Sequence, residues 1–97
     1  MSKLRYTPQA KKFFKKIISK ELIYTFNKAL DAIESDPYSG ELKTGDLSGI
    51  YCWDIYYKKV NYEIAYRIIE DNEQLIIIIM AGTRENFYDE LKRYIKI

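Results

Sequence analysis

A chain of 97 residues, 47% apolar and 31% charged, fits one modest folded domain and leaves no room for a second or for enclosing a large organic cofactor. It has no histidine and one cysteine, Cys52. That excludes His general-base catalysis, Ser-His and Cys-His pairs, His-ligated metal sites and internal disulfides.

The formal charge of +2 hides an asymmetry. Residues 1–30 hold eight Lys/Arg against the single acid Glu21, which points to a polyanion or an acidic partner. A lone cysteine in a lysine-rich chain suits a reducing compartment. No leader-like apolar stretch is visible in MSKLRYTPQAKK. The longest apolar run, Leu75–Ala81, is seven residues, against the ~20 that span a bilayer. A cytoplasmic protein with no membrane association is expected. The four glycines at 40, 45, 49 and 82 form no phosphate-binding loop.

Lys3–Tyr6 reads as a short edge strand. Thr7-Pro8 then starts a helix, with Thr as cap and Pro at the first helical position. Ala10, Phe13, Phe14, Ile17 and Ile18 make its apolar stripe, and Lys11, Lys12, Lys15 and Lys16 take the other side. Ser19-Lys20-Glu21 is a corner. Leu22, Ile23, Phe26, Ala29, Leu30 and Ile33 form a second stripe, so the two helices make a hairpin. Asp36–Gly40 ends it, and Glu41–Gly49 is a polar connection.

From Ile50 the period becomes two. Tyr51, Trp53, Ile55 and Tyr57 alternate with Cys52, Asp54, Tyr56 and Lys58 in one strand. Lys58–Asn61 is turn-like. Tyr62, Ile64, Tyr66 and Ile68 alternate with Glu63, Ala65, Arg67 and Ile69 in the next. After the polar turn Glu70–Glu73, the run Leu75–Ala81 suits a strand buried on both faces. Thr83 can cap a last helix, with Glu85 in its first turn and Phe87, Leu91, Tyr94 and Ile95 as its buried stripe. The fold class expected is α+β in the order β-α-α-β-β-β-α. The helical hairpin covers one face of an antiparallel meander and the last helix part of the other.

Three places suit chemistry. Arg84, Tyr88 and Lys92 share one face of the last helix at i, i+4, i+8. Arg84 at its N-terminus suits a phosphate clamp; a plain solvated face fits the same pattern. Asp54, Tyr56 and Lys58, with Glu63 and Arg67 on the neighbouring strand, read as cross-strand charge pairs or as a cleft for a charged, flat substrate. The lysine face of the first helix is either a solvated surface or a salt-sensitive nucleic-acid contact. Cys52, with no basic neighbour in sequence, reads as packing.

Three segments carry a resemblance: YTPQAKKFFKKI, GELKTGDLSGIYCWDIYYKKVNYEIAYRI and IIIIMAGTRENFYDELKRYIK. Together they resemble the RelE/ParE superfamily of type II toxin–antitoxin toxins over nearly the whole chain. The most specific parts are L-S-G before a strand, the Y-x-I-A-Y-R strand and G-T-R-E-N-F-Y ahead of the last helix. The resemblance implies a toxin neutralised by a cognate antitoxin whose C-terminal segment wraps it, with a helix or strand over the sheet edge and the basic hairpin.

RelE-like members are ribosome-dependent mRNA endonucleases in which the 2′-hydroxyl attacks the adjacent phosphate. ParE-like members inhibit DNA gyrase and have lost the nuclease residues. Arg84 and Tyr88 match two nuclease positions and Lys58 keeps a basic residue. Asp54 and Tyr56 stand where RelE has lysines, and Glu63 replaces an arginine. Glu41 corresponds to the glutamate base of YoeB-like members.

The resemblance implies Arg84, Tyr88, Lys58 and Glu41 as candidate catalytic residues; the charged strand faces add Arg67 as a further cation and Glu63 as an alternative base, and Tyr56, Lys59 and Lys92 are candidate substrate contacts. No metal or cofactor is expected. The expected partners are the antitoxin with ribosome and mRNA, or DNA gyrase in the alternative; a binding module without toxicity is a third reading.

Overall fold

The computed structural model describes residues 3–95. Strand β1 (Lys3–Tyr6) leads into α1 (Pro8–Lys16) and α2 (Lys20–Ser35). Strands β2 (Glu41–Leu42), β3 (Tyr51–Tyr57), β4 (Val60–Glu70) and β5 (Gln74–Thr83) follow, and α3 (Phe87–Ile95) closes the chain. One mixed sheet results, in the order β1-β5-β4-β3-β2. β1 runs parallel to β5, and every other neighbouring pair is antiparallel. The expected α+β order holds, with β2 as an added strand. No helix among the described residues is long and apolar enough to cross a membrane.

The helical hairpin is built by its caps. The Thr7 hydroxyl accepts from the Ala10 N–H at 3.1 Å and donates to the Ile79 carbonyl at 2.5 Å. One side chain therefore starts α1 and ties it to β5. Ser19 caps α2 through the Leu22 N–H at 3.2 Å. α1 ends at Lys16 with Ile17 extended, so the expected stripe stops one residue early and Ile18 is 94% exposed.

Between hairpin and sheet, Phe13, Phe14 and Phe26 meet edge-to-face with centroids 5.5 Å apart, and Phe26 meets Tyr62 in the same way. Such pairs add about 0.5–1.5 kcal/mol each beyond their burial. Ile33, Ile64, Tyr66, Ile76 and Ile78 complete this layer. The Tyr66 hydroxyl, deep within it, donates to the Pro37 carbonyl at 2.7 Å.

The opposite face packs Leu47, Ile50, Cys52, Ala65, Ile79 and Met80 under Phe87 and Leu91 of α3. A bulge in the β4–β5 ladder at Ala65/Tyr66 makes this possible. It leaves Ile79 unpaired with β4, so Ile79 and Met80 both join the α3 layer while Ile78 and Ala81 join the other.

Two connections differ from the sequence reading. Glu41–Gly49 is not wholly irregular: Glu41 pairs with Cys52 and Leu42 with Tyr51. The β3–β4 turn is only Lys58-Lys59, both with positive φ (48° and 66°), because β4 already starts at Val60 opposite Tyr57.

Candidate active site

The face of the sheet under α3 carries the even-numbered side chains of β3 and the odd-numbered ones of β4. Strand register sets Asp54 directly opposite Glu63, and Gly82 of β5 flanks Glu63 on its other side. Sequence alternation makes Glu63 a solvent-facing partner in a charge pair. The structure instead buries it completely, at 0% exposure, because α3 lies over this part of the sheet. Its cross-strand neighbour is a like charge.

Glu63 has two further neighbours. The Tyr88 hydroxyl donates to Glu63 Oε1 at 3.1 Å. Arg84 Nε stands 3.7 Å from Glu63 Oε2, an ion pair too long for a hydrogen bond. Oε2 is buried and accepts no hydrogen bond from the described residues. Burial therefore dominates the titration and pushes the Glu63 carboxyl up to about 7. The hydrogen bond to Asp54 that a protonated Glu63 forms, and repulsion from Asp54, raise it further, while Tyr88 and Arg84 oppose the rise. A carboxyl raised toward neutrality beside an arginine and a tyrosine in a cleft makes this a candidate functional site.

Lys43, just beyond β2, completes the cleft. Its ammonium lies 2.7 Å from Glu41 Oε1 and 4.8 Å from the centroid of the Tyr88 ring. Glu41 is the main reason that Lys43 stays well above the ordinary lysine range. Burial pushes the Tyr88 phenol up to about 12, so it stays protonated at neutral pH. Burial also raises the Cys52 thiol to about 12, which makes it a packed thiol rather than a nucleophile.

Four of the expected catalytic residues thus converge: Glu63, Arg84 and Tyr88 in direct contact, and Glu41 through Lys43. Arg84 arrives by a different route from the one expected. α3 begins at Phe87, because the Arg84 N–H donates to the Asn61 carbonyl at 2.8 Å and prolongs the β4–β5 ladder. Asn86 (φ 59°) then turns the chain, a conformation Asn tolerates well. Arg84 is therefore not a helix-terminal phosphate clamp, and Thr83 and Glu85 lie outside the helix. The acids in its first turn are Asp89 and Glu90.

Lys58 and Arg67 do not join. Lys58 sits in the β3–β4 turn, 3.6 Å from Glu21 of α2 and over the Tyr57 ring. Arg67 lies four residues along β4 from Glu63, about 13 Å at strand spacing, beside Ile77, Ile79 and Ile95. Tyr56 is exposed on the same face as Asp54, opposite Asn61. Lys59 is in the turn and Lys92 one exposed turn beyond Tyr88. Lys43 is the residue that the sequence reading misses, whereas Asp54 is placed in the cleft but given no role. The alternation Glu41-Leu42-Lys43 is the signal for Lys43.

A family model of ParE-like toxins of type II bacterial toxin–antitoxin systems matches residues 4–92. The chain belongs to this family. Solved structures share the toxin's fold. A double mutant of E. coli toxin RelE in the free state is 18% identical, with TM-score 0.72 over 97% of this chain and 95% of that one. The RelBE2 toxin–antitoxin complex from Mycobacterium tuberculosis is 21% identical, with TM-score 0.64 over 84% and 95%. The intact E. coli RelBE complex is 21% identical, with TM-score 0.60 over 81% and 92%. A search of curated proteins gives no match. The toxin is of RelE/ParE type, and the cleft under its α3 is its candidate functional site.

Proposed function

We propose that this toxin is a metal-independent endoribonuclease that cuts mRNA on the ribosome and is neutralised by a cognate antitoxin. The observation that carries the reading is the buried Glu63, poised at about 7 and touched by Arg84 and Tyr88. The ribonucleotide 2′-oxygen attacks the adjacent phosphorus. Its proton passes to the Tyr88 hydroxyl while the Tyr88 proton passes along the existing hydrogen bond to Glu63. The phosphorus–5′-oxygen bond breaks, leaving a 2′,3′-cyclic phosphate, and the 5′-oxygen takes a proton from water. Arg84 neutralises the charge gathering on the non-bridging oxygens, the kind of contribution that is usually largest. With Asp54 nearby the cleft attracts a free polyanion weakly, so the ribosome supplies the positioning.

The test is induction without antitoxin, followed within minutes by primer extension on abundant mRNAs. Cuts inside reading frames that disappear when initiation is blocked support the reading, and Arg84→Ala abolishes them. Equal cutting by Arg84→Ala removes Arg84 from the mechanism. A second reading has one observation in its favour. The acids at 54 and 63 disfavour nucleic acid, which suits a ParE-like inhibitor of DNA gyrase. It predicts arrest with intact mRNA and DNA-damage signalling. Growth without arrest would leave an antitoxin-binding module.

A further inference from the structure

We propose that Lys43 is a positioning residue: from the β2 side of the cleft it holds the ring of Tyr88 in place over Glu63. The proposal rests on reading Tyr88 as part of the active site. Tyr88 is held at three points. Its hydroxyl is anchored on Glu63 Oε1. The edge-to-face partner Phe87, 5.5 Å away at 89°, supports it from its own helix. The Lys43 ammonium, 4.8 Å from the ring centroid, is the contact supplied from across the cleft. A tyrosine has two side-chain torsions, so these contacts restrict the phenol.

Lys43 is itself well placed. Its backbone N–H donates to the Ile50 carbonyl at 2.9 Å, which pins the segment after β2 to the start of β3. Its side chain is only 21% exposed, uncommon for lysine. Glu41 takes one of its three donors at 2.7 Å and aims the ammonium. Because that carboxylate also balances the charge, Lys43 adds little net field to the cleft; what it contributes is placement. Cation–π contacts gain strength when partly shielded from water, as here. Glu41 is 70% exposed, so losing its ion pair with Lys43 strands no buried charge and has little effect on stability; removal therefore tests the Tyr88 contact rather than the fold.

The experiment uses the full-length toxin carrying ring-13C tyrosine, with the Tyr88 signals assigned through Tyr88→Phe. Lys43→Met keeps the apolar stem and removes the charge, and Lys43→Gln is a second uncharged variant that still bonds Glu41. Lys43→Arg keeps a cation over the ring. In both uncharged variants the Tyr88 ring signals shift and broaden, and Lys43→Arg restores them. mRNA cleavage falls about tenfold in the uncharged variants and recovers in Lys43→Arg, while the pH midpoint of the reaction stays where it was. Unchanged Tyr88 signals in Lys43→Met and Lys43→Gln overturn the proposal. So does full cleavage by a variant in which the ring has loosened. A wild-type toxin that leaves mRNA intact sinks the nuclease reading instead, and the ring signals still decide whether Lys43 holds Tyr88.

Discussion

Replacing Glu63 with Gln tests the electrostatics of the cleft without requiring any activity. The carboxyl rises from an ordinary 4.5 to about 7 on folding. At 1.36 kcal/mol for each tenfold change in acidity, that is about 3 kcal/mol of penalty for the ionised form. The sign follows from proton binding. Below pH 4.5 the acid is neutral in both folded and unfolded chains, and the penalty is absent. Between 4.5 and 7 the unfolded chain releases its proton and the folded one keeps it, so this group makes stability fall as pH rises. Above 7 the full penalty stands.

Glutamine mimics the protonated acid. Its carbonyl still accepts from Tyr88, and its amide can donate toward Asp54. Glu63→Gln is therefore expected to match wild type near pH 4.5 and to exceed it by up to ~3 kcal/mol at pH 8. Urea denaturation of both proteins at the two pH values measures it. Taking the variant against wild type cancels other titrations, including Glu70, whose carboxyl is lowered by the Tyr38 hydroxyl. A stability difference identical at pH 4.5 and pH 8 would refute the reasoning. The stabilised variant is also expected to be inactive, since a strained active-site charge commonly trades stability for function.

Two further outcomes are expected. Lys58-Lys59 occupy positive φ at both turn positions, the pattern that Asn-Gly adopts with least strain. Replacing the pair with Asn-Gly should raise the unfolding free energy measured in urea by about 1 kcal/mol and leave mRNA cleavage intact, because the turn lies away from Glu63. Gly40→Ala should destabilise by about 1–3 kcal/mol, since a Cβ there collides with the Tyr66 hydroxyl that bonds Pro37; Tyr66→Phe in the same background should recover part of the loss in the same assay.

The elements were legible because their signals are local. The helical stripe from Ala10, the alternation from Tyr51 and the run Leu75–Ala81 each carry their own period. Arg84 and Tyr88 were legible as a pair by spacing and family resemblance, although one lies on a strand extension rather than on the helix. What escaped depends on tertiary packing. Nothing local says that α3 settles over Glu63 and turns a polar strand position into a buried one. Nothing local says that β2 carries Lys43 to a ring 45 residues later in the chain. The start of α3 was misplaced because a backbone bond to Asn61 outcompeted the Thr83 cap. Ile18 continues the stripe in sequence, but the helix ends before it.

The parallel pairing of β1 with β5 has a consequence for synthesis. Lys3 lies against Leu75, and Thr7 holds Ile79, each 72 residues further on. The basic helical hairpin therefore leaves the ribosome long before the strand it packs against exists. Non-local closures of this kind are slow to form, and here they must also wait for translation. Glu63 is made before Arg84 and Tyr88, and the floor beneath all three takes shape only when β5 inserts between β1 and β4. A nascent chain halted before β5 holds β2, β3 and β4 but lacks the strand that joins them to β1, and with it Arg84 and Tyr88. Vectorial synthesis thus completes the cleft only once the last quarter of the chain has emerged.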